Sequence, residues 1–341
     1  MMSSTNASDI EVIDSNCTNE TADKQWQESM NTLYTYVYLF IFIPGLIGNS
    51  LALWVLCRFI SKKTKAIIFM INLAIADLAH VLSLPLRIYY YIHGTWPFGK
   101  GLCLLCFYLK YLNMYASIAF LVCISIQRCA FLMRPFCARQ WMRRYDVRIS
   151  VAVWLVVGLC CSPFILMRSS SSNTNKTETC FKDLPTRKLN LGKAVAIMSF
   201  AELLGFVVPL TIIILCSYFI IQSLKQSSRP GISVNDVRKA LRMVLVCTGV
   251  FLFCFAPYHI NFLMYMMVSQ GLITHCPLQQ AVNKFHPISL CIASLNCCLN
   301  PLIYYFLTTE FQQQLSRQGS SILRGRLMSM ESTSSYREAL P

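Results

Sequence analysis

Seven apolar stretches constrain this chain more than any other feature of its sequence. They run at 33–59, 66–92, 101–134, 148–167, 194–224, 240–268 and 283–306. Each reaches the roughly 20 residues that an α-helix needs to cross a bilayer. No water reaches the hydrocarbon, so a spanning backbone must satisfy its own N–H and C=O groups, as a helix or as a closed barrel. Stretches of this length read as helices. The expected fold class is an all-α membrane protein: a seven-transmembrane helix bundle with a short amphipathic helix after helix 7. Composition agrees, because only 13% of residues are charged, against about 25% in an ordinary soluble domain. The chain divides into an extracellular glycosylated N-terminal tail at 1–32, the bundle at 33–306, and a cytoplasmic helix 8 and tail at 307–341.

The formal charge of +15 does not gather in one domain, which argues against a nucleic-acid partner. It sits in short loops. Arg58, Lys62, Lys63 and Lys65 follow the first run. Arg134, Arg139, Arg143, Arg144 and Arg148 follow the third, against Asp146. Lys225, Arg229, Arg238, Lys239 and Arg242 follow the fifth, against Asp236. All three loops fall on one side, and the positive-inside rule makes that side cytoplasmic. On the other side Asn6, Asn16, Asn19 and Asn175 each open an N-glycosylation pattern. No apolar core of a cleavable signal peptide is found in the first thirty residues. The segment 182–193 breaks the charge rule with Lys182, Arg187, Lys188 and Lys193 outside. It reads equally well as ligand-facing charge or as a solvated loop. Of seventeen cysteines most lie inside apolar runs, where a free thiol behaves as a small hydrophobe. Cys17, Cys103, Cys180 and Cys276 lie at loops or helix ends on the outer side, and they are the disulfide candidates.

The third run carries a polar stripe. Lys110, Asn113, Ser117, Leu121, Ile124 and Arg128 recur at three- and four-residue steps, hence on one helical face. From Lys110 to Arg128 the stripe is roughly 27 Å long, about one bilayer core. Ionisable groups at that depth are expensive and mark function by default. Pro44, Pro85, Pro163, Pro209, Pro257 and Pro301 interrupt the spans, which favours kinked helices and a bundle that bends. Past 307, Phe311, Leu315, Ile322 and Leu323 suit a short amphipathic helix at the inner surface. Ser329, Ser332, Thr333, Ser334 and Ser335 form a phospho-acceptor cluster or a plain polar tail.

Certain residues, taken in order, resemble the rhodopsin-family (class A) G-protein-coupled receptors over 33–318. They are Gly48-Asn49, Asn72-Leu73-Ala74-Ile75-Ala76-Asp77, Cys103, Arg128, Trp154, Pro209, Phe253-Cys254-Phe255-Ala256-Pro257 and Asn300-Pro301-Leu302-Ile303-Tyr304. Phe255-Ala256-Pro257-Tyr258-His259 is similar to the purinergic branch, which holds nucleotide and lysophospholipid receptors. The stretches Lys65–Tyr91 and Leu102–Ser117 look most like the lysophosphatidylserine receptors. The chain departs from the family in places. Gln127 stands where an acid usually precedes Arg128, and Cys129 where a tyrosine follows it. Ser217 occupies the helix 5 tyrosine place, with Tyr218 next. Phe262 replaces the arginine of nucleotide receptors. The missing acid implies raised ligand-independent signalling.

The resemblance implies a cell-surface receptor that binds an anionic lysophospholipid, with lysophosphatidylserine first, and activates heterotrimeric G proteins, the Rho-activating class among them. It implies the disulfide Cys103–Cys180, and Cys17 with Cys276 is the remaining candidate pair, which would staple the N-terminus to the third outer loop. By resemblance Arg87, Tyr111, Arg168 and Tyr258 match ligand positions, and read as a cationic pocket with an apolar wall the candidate ligand set also takes Lys110, His259, Phe262 and Glu202. A bland alternative pairs Lys110 with Glu202 as an internal salt bridge, the arginines snorkelling. Asp77, Asn113, Ser117, Asn296 and Asn300 are an oxygen-rich set that suits an allosteric sodium ion, or else a hydrogen-bond network without an ion. No other cofactor is expected. Arg128, Phe251, Phe255, Pro257, Pro301 and Tyr304 are the implied activation switch and G-protein contact, with arrestin and a receptor kinase as further partners at the Ser/Thr tail. A nucleotide receptor is the rival within the family. A seven-helix transporter or channel is the rival outside it, and the runs show no repeat of two similar halves. No nucleophile, base and orienting group converge, so an enzyme is not expected.

Overall fold

The computed structural model describes residues 20–58, 67–134, 140–169, 180–181, 191–225, 234–269, 271–273, 275–307 and 316. Seven of its helices or helix pairs are long and apolar enough to cross a membrane. They are α1 (Glu20–Arg58), α2 in two pieces (Ile67–Val81 and Leu84–His93), α3 (Gly99–Met133) and α4 (Arg143–Ser169). α5 comprises Leu191–Glu202, a π turn at Leu203–Val207, and Val208–Lys225. α6 is Val234–Ser269, and α7 joins Cys276–Ser294 to Asn296–Leu307. No strand occurs among the described residues.

The helices overrun the apolar stretches at both ends. α1 begins at Glu20, well ahead of residue 33. Hydropathy marks the part in hydrocarbon, whereas Lys24, Gln25, Gln27 and Glu28 are good helix formers that continue the turn into water. The breaks have local causes. Pro85 has no N–H to donate, and α2 opens just before it, where Leu82 N donates to Leu78 O (2.9 Å) and Ser83 Oγ to His80 O (2.7 Å). Gly94, at φ 69°, closes the second piece by donating to Tyr90 O (2.8 Å). Pro209 likewise leaves the Gly205 carbonyl without its usual donor, and the π turn absorbs that misfit.

α3 is the axis of the bundle and packs against α2, α4, α5, α6 and α7. Lys110, Asn113, Ser117, Leu121 and Ile124 are all buried, as their spacing requires. The outer faces of the helices are apolar instead: Leu159 is 72% exposed, Phe40 66% and Ile260 65%. A soluble protein would hide such side chains, so this surface is one for lipid. Polar side chains tie the helices across the core. Asn49 Nδ2 donates to Gly45 O (2.9 Å) on its own helix and to Cys297 O (2.8 Å) on α7. Trp154 Nε1 donates to Asn72 Oδ1 (2.8 Å), joining α4 to α2. A Cβ at Gly48 would lie 3.1 Å from Pro301, so this glycine lets α1 and α7 approach closely.

Cys103, at the head of α3, is disulfide-bonded to Cys180 with their Cα atoms 6.0 Å apart. Cys276 is also disulfide-bonded. Cys17, the glycosylation candidates Asn6, Asn16, Asn19 and Asn175, and the Ser/Thr tail lie outside the described residues, as does helix 8 apart from Ser316.

Candidate functional site

The buried polar residues fall into three layers along α3. The outer layer begins with Arg87, on the second piece of α2 and only 2% exposed. Pro85 restarts the helix so that this side chain turns inward. Its NH2 donates to Cys106 O (2.6 Å). Its guanidinium lies 4.4 Å from the Phe181 ring centre and 5.8 Å from that of Phe107. Nε has no partner, and no carboxylate among the described residues forms a salt bridge with Arg87. Lys110 is close by on α3, with Nζ 3.3 Å from the Tyr38 hydroxyl of α1. Tyr111 packs against both hydrophobic clusters of the bundle.

Across the bundle, Tyr258 stacks on Phe262 (5.6 Å between centroids) and both are buried. His259 Nδ1 meets Glu202 Oε1 at 3.2 Å. Glu202 sits at the mouth of the π turn, which rotates it toward α6. Glu202 thus pairs with His259, and the Lys110 ammonium lies at Tyr38. Arg168 lies in the last turn of α4, and its side chain is outside the described set. Tyr38 and Phe181, which contact Lys110 and Arg87, are neighbours of the candidate site not expected from the sequence. Both left a signal: Tyr38 recurs four residues after Tyr34 on one helical face, and Phe181 follows a cysteine that the disulfide fixes beside α3.

The middle layer brings together all five residues of the oxygen-rich set. Asn113 Nδ2 donates to Asp77 Oδ1 (2.8 Å), Ser117 Oγ reaches the same oxygen (3.5 Å), and Asn300 Nδ2 donates to Asp77 Oδ2 (2.9 Å). Asn296 Nδ2 extends the chain to Asn113 Oδ1 (3.4 Å). None of the five is more than 3% exposed. Asn300 Oδ1 is buried and has no hydrogen-bond partner. The carboxylate, the hydroxyl and that spare amide oxygen are hard donors of the kind a small cation takes. Cys297 was not foreseen here, and its thiol reaches Asn296 Oδ1 (3.3 Å).

The inner layer starts with packed rings. Phe251 stacks on Phe206 (5.7 Å) and meets Phe255 edge-on (5.8 Å), on the N-terminal side of Pro257 in α6. Ser217 faces inward, whereas Tyr218 is 52% exposed on the outer side, so the displaced tyrosine does not re-enter the bundle. Arg128 is half-buried at the foot of α3. Gln127 beside it is buried and donates to Asp146 of α4 (2.8 Å). Pro301 packs at Gly48. Tyr304 is on α7, with its side chain outside the described set.

A disulfide-tied mouth, a buried carboxylate network and an arginine at the far end, threaded on seven spanning helices, define a membrane receptor bundle. The family described as 7 transmembrane receptor (rhodopsin family) matches residues 48–304. The chain belongs to that family: it is a multi-pass G-protein-coupled receptor of the plasma membrane, and not an enzyme. It is 59% identical over 304 residues to a human protein named as putative purinoceptor 10, covering 89% of each chain. It is 50% identical over 286 residues to the human "Probable G-protein coupled receptor 174" (84% of this chain, 86% of that one). To the human lysophosphatidic acid receptor 6 it is 35% identical over 297 residues, 86% of each chain. Lysophospholipid and purinergic-type receptors are thus both among its relatives.

Proposed function

We propose that this receptor binds an anionic lysophospholipid, with lysophosphatidylserine as the preferred headgroup, and signals through heterotrimeric G proteins. The observation that carries this reading is Arg87. A guanidinium this deeply buried is costly without an anion, yet its contacts are one carbonyl and two aromatic faces. Its planar fork suits a phosphate or carboxylate held by two bonds. Lys110 adds a second cation and Tyr38, Tyr111 and Tyr258 add hydroxyls. Phe262 supports a lipid over a nucleotide, since it gives an apolar wall where nucleotide receptors of the resembling branch carry arginine. One relative is named for lysophosphatidic acid, in line with this ligand class.

The mouth with Cys103 and Cys180 faces outside in this reading, with the N-terminus extracellular and the basic loops cytoplasmic. Asp77, Ser117 and Asn300, with Asn113 and Asn296, hold a sodium ion that favours the inactive bundle. The ligand acts by binding the open bundle more tightly than the closed one, with Phe251, Phe255 and Pro257 as the moving contacts of α6. The test is G-protein activation by the expressed receptor under lysophosphatidylserine, lysophosphatidic acid and nucleotides, with each heterotrimer class read separately. Activation by lysophosphatidylserine at the lowest dose supports the reading. Activation by nucleotides alone overturns it.

A further inference from the structure

An acid of α4 meets Gln127, the residue that precedes Arg128. Asp146, one turn into α4, is 6% exposed, and Gln127 is 4%. A single carboxylate oxygen, Oδ1, accepts both Gln127 Nε2 (2.8 Å) and Trp141 Nε1 (2.7 Å). Asp146 forms no salt bridge among the described residues, although Arg143, Arg144 and Arg148 stand on the same helix and are exposed. A buried carboxylate that takes two neutral N–H groups while arginines lie a turn away is held for position rather than for charge pairing. Trp141 shows what is positioned. Its ring is clamped edge-on by Phe131 of α3 (5.9 Å) and packs on Tyr145 of α4 (5.5 Å). Trp141 lies two residues before α4, so Asp146 fastens the approach to that helix to the α3 residue next to Arg128.

We infer that Gln127, Asp146 and Trp141 form a latch that sets the coupling surface beside Arg128, with the amide on α3 and the acid on α4. The three are positioning residues, and the bonds they make decide how well a heterotrimeric G protein seats on the bundle. This role does not depend on the identity of the ligand.

Exchanging the acid and the amide supplies the test. Gln127→Glu alone sets two carboxylates side by side in a buried place. Asp146→Ala leaves the Gln127 and Trp141 donors without an acceptor. The double change Gln127→Glu with Asp146→Asn restores an acid–amide pair at unchanged side-chain lengths, with the roles exchanged. Receptor in nanodiscs is titrated with nucleotide-free, apyrase-treated heterotrimers of each class, with no ligand present. Each single variant weakens binding of the preferred heterotrimer roughly tenfold, the scale of one lost hydrogen bond to a charged group. The double variant recovers to within about twofold of wild type. Trp141→Phe keeps the ring contacts and loses only the N–H, and it falls between. Unchanged binding by Asp146→Ala, or a double variant no better than the singles, overturns the latch. A single variant that fails to reach the membrane does not spare the proposal, because the double variant must then restore both folding and coupling.

Discussion

The outer and middle layers both bury polar groups and treat them in opposite ways. Around Asp77 the carboxylate oxygens are both engaged, by Asn113, Ser117 and Asn300, and side chains of three helices close one network. Around Arg87 the charge meets one carbonyl and two rings, and Nε has no partner. A network whose carboxylate is fully engaged specifies how helices pack, even with Asn300 Oδ1 to spare, while a buried charge without a counter-charge is suited to an anion that arrives. The contrast gives each layer its own signature. Outer-layer changes should strike the ligand response and spare the fold, and middle-layer changes should do the reverse.

The largest expected effect is at Arg87. Truncating one partner of a buried, hydrogen-bonded charge pair costs about 2–5 kcal/mol. Arg87→Ala should therefore lower lysophospholipid potency by at least about 30-fold, with surface expression held near wild type. Dose–response curves beside cell-surface antibody binding check both halves. Unchanged potency removes Arg87 from the site, and lost expression with normal potency in the surviving receptor makes it a structural residue like those of the middle layer.

Next in size is Asn113→Ala. It removes the donor to Asp77 and the acceptor of Asn296 together. Each buried group left without a partner costs about 1–3 kcal/mol, so thermal stability of the detergent-solubilised receptor should fall clearly. If stability is untouched while ligand potency collapses, the two layers are not separate. Asp77→Asn refines the same layer. In wild type, sodium should weaken agonist binding relative to potassium by roughly fivefold, the low end of ordinary coupling between sites. In Asp77→Asn that difference should vanish, and a sodium effect that persists moves the ion elsewhere.

The middle layer was legible in the sequence and the others only partly, for a physical reason. Asp77, Asn113, Ser117 and Asn300 sit on spans whose helical period fixes which way each side chain points, and a buried carboxylate has few residues to turn to. The seven helices were legible on the same ground, since hydrocarbon admits no other backbone here. What escaped depends on contacts between segments with no common period. Tyr38 meets Lys110 across 72 residues of chain. Asp146 meets Gln127 through a loop whose basic residues drew attention to charge rather than to its one acid. The π turn in α5 escaped because it follows from the Pro209 misfit together with a tight contact. A Cβ at Gly205 would lie 2.6 Å from the Tyr115 ring, which no spacing rule reveals.

The smallest expected effect falls on Glu202, where the outer layer comes nearest to being satisfied. Its carboxylate is taken by His259 Nδ1 at 3.2 Å, and His259 is stacked on Phe206 (5.1 Å), so the pair is already held in place. Glu202→Gln keeps an oxygen that accepts from the imidazole and removes only the charge. The loss in potency should stay within about threefold, in the range of a single weak ion pair. It should also be equal for lysophosphatidylserine, which carries an ammonium, and for lysophosphatidic acid, which carries none. A loss confined to the ammonium-bearing lipid would mean that Glu202 leaves His259 to meet the headgroup. Glu202 would then join Arg87 as a charge kept for the ligand, and the line between the two layers would run below α5 instead of through it.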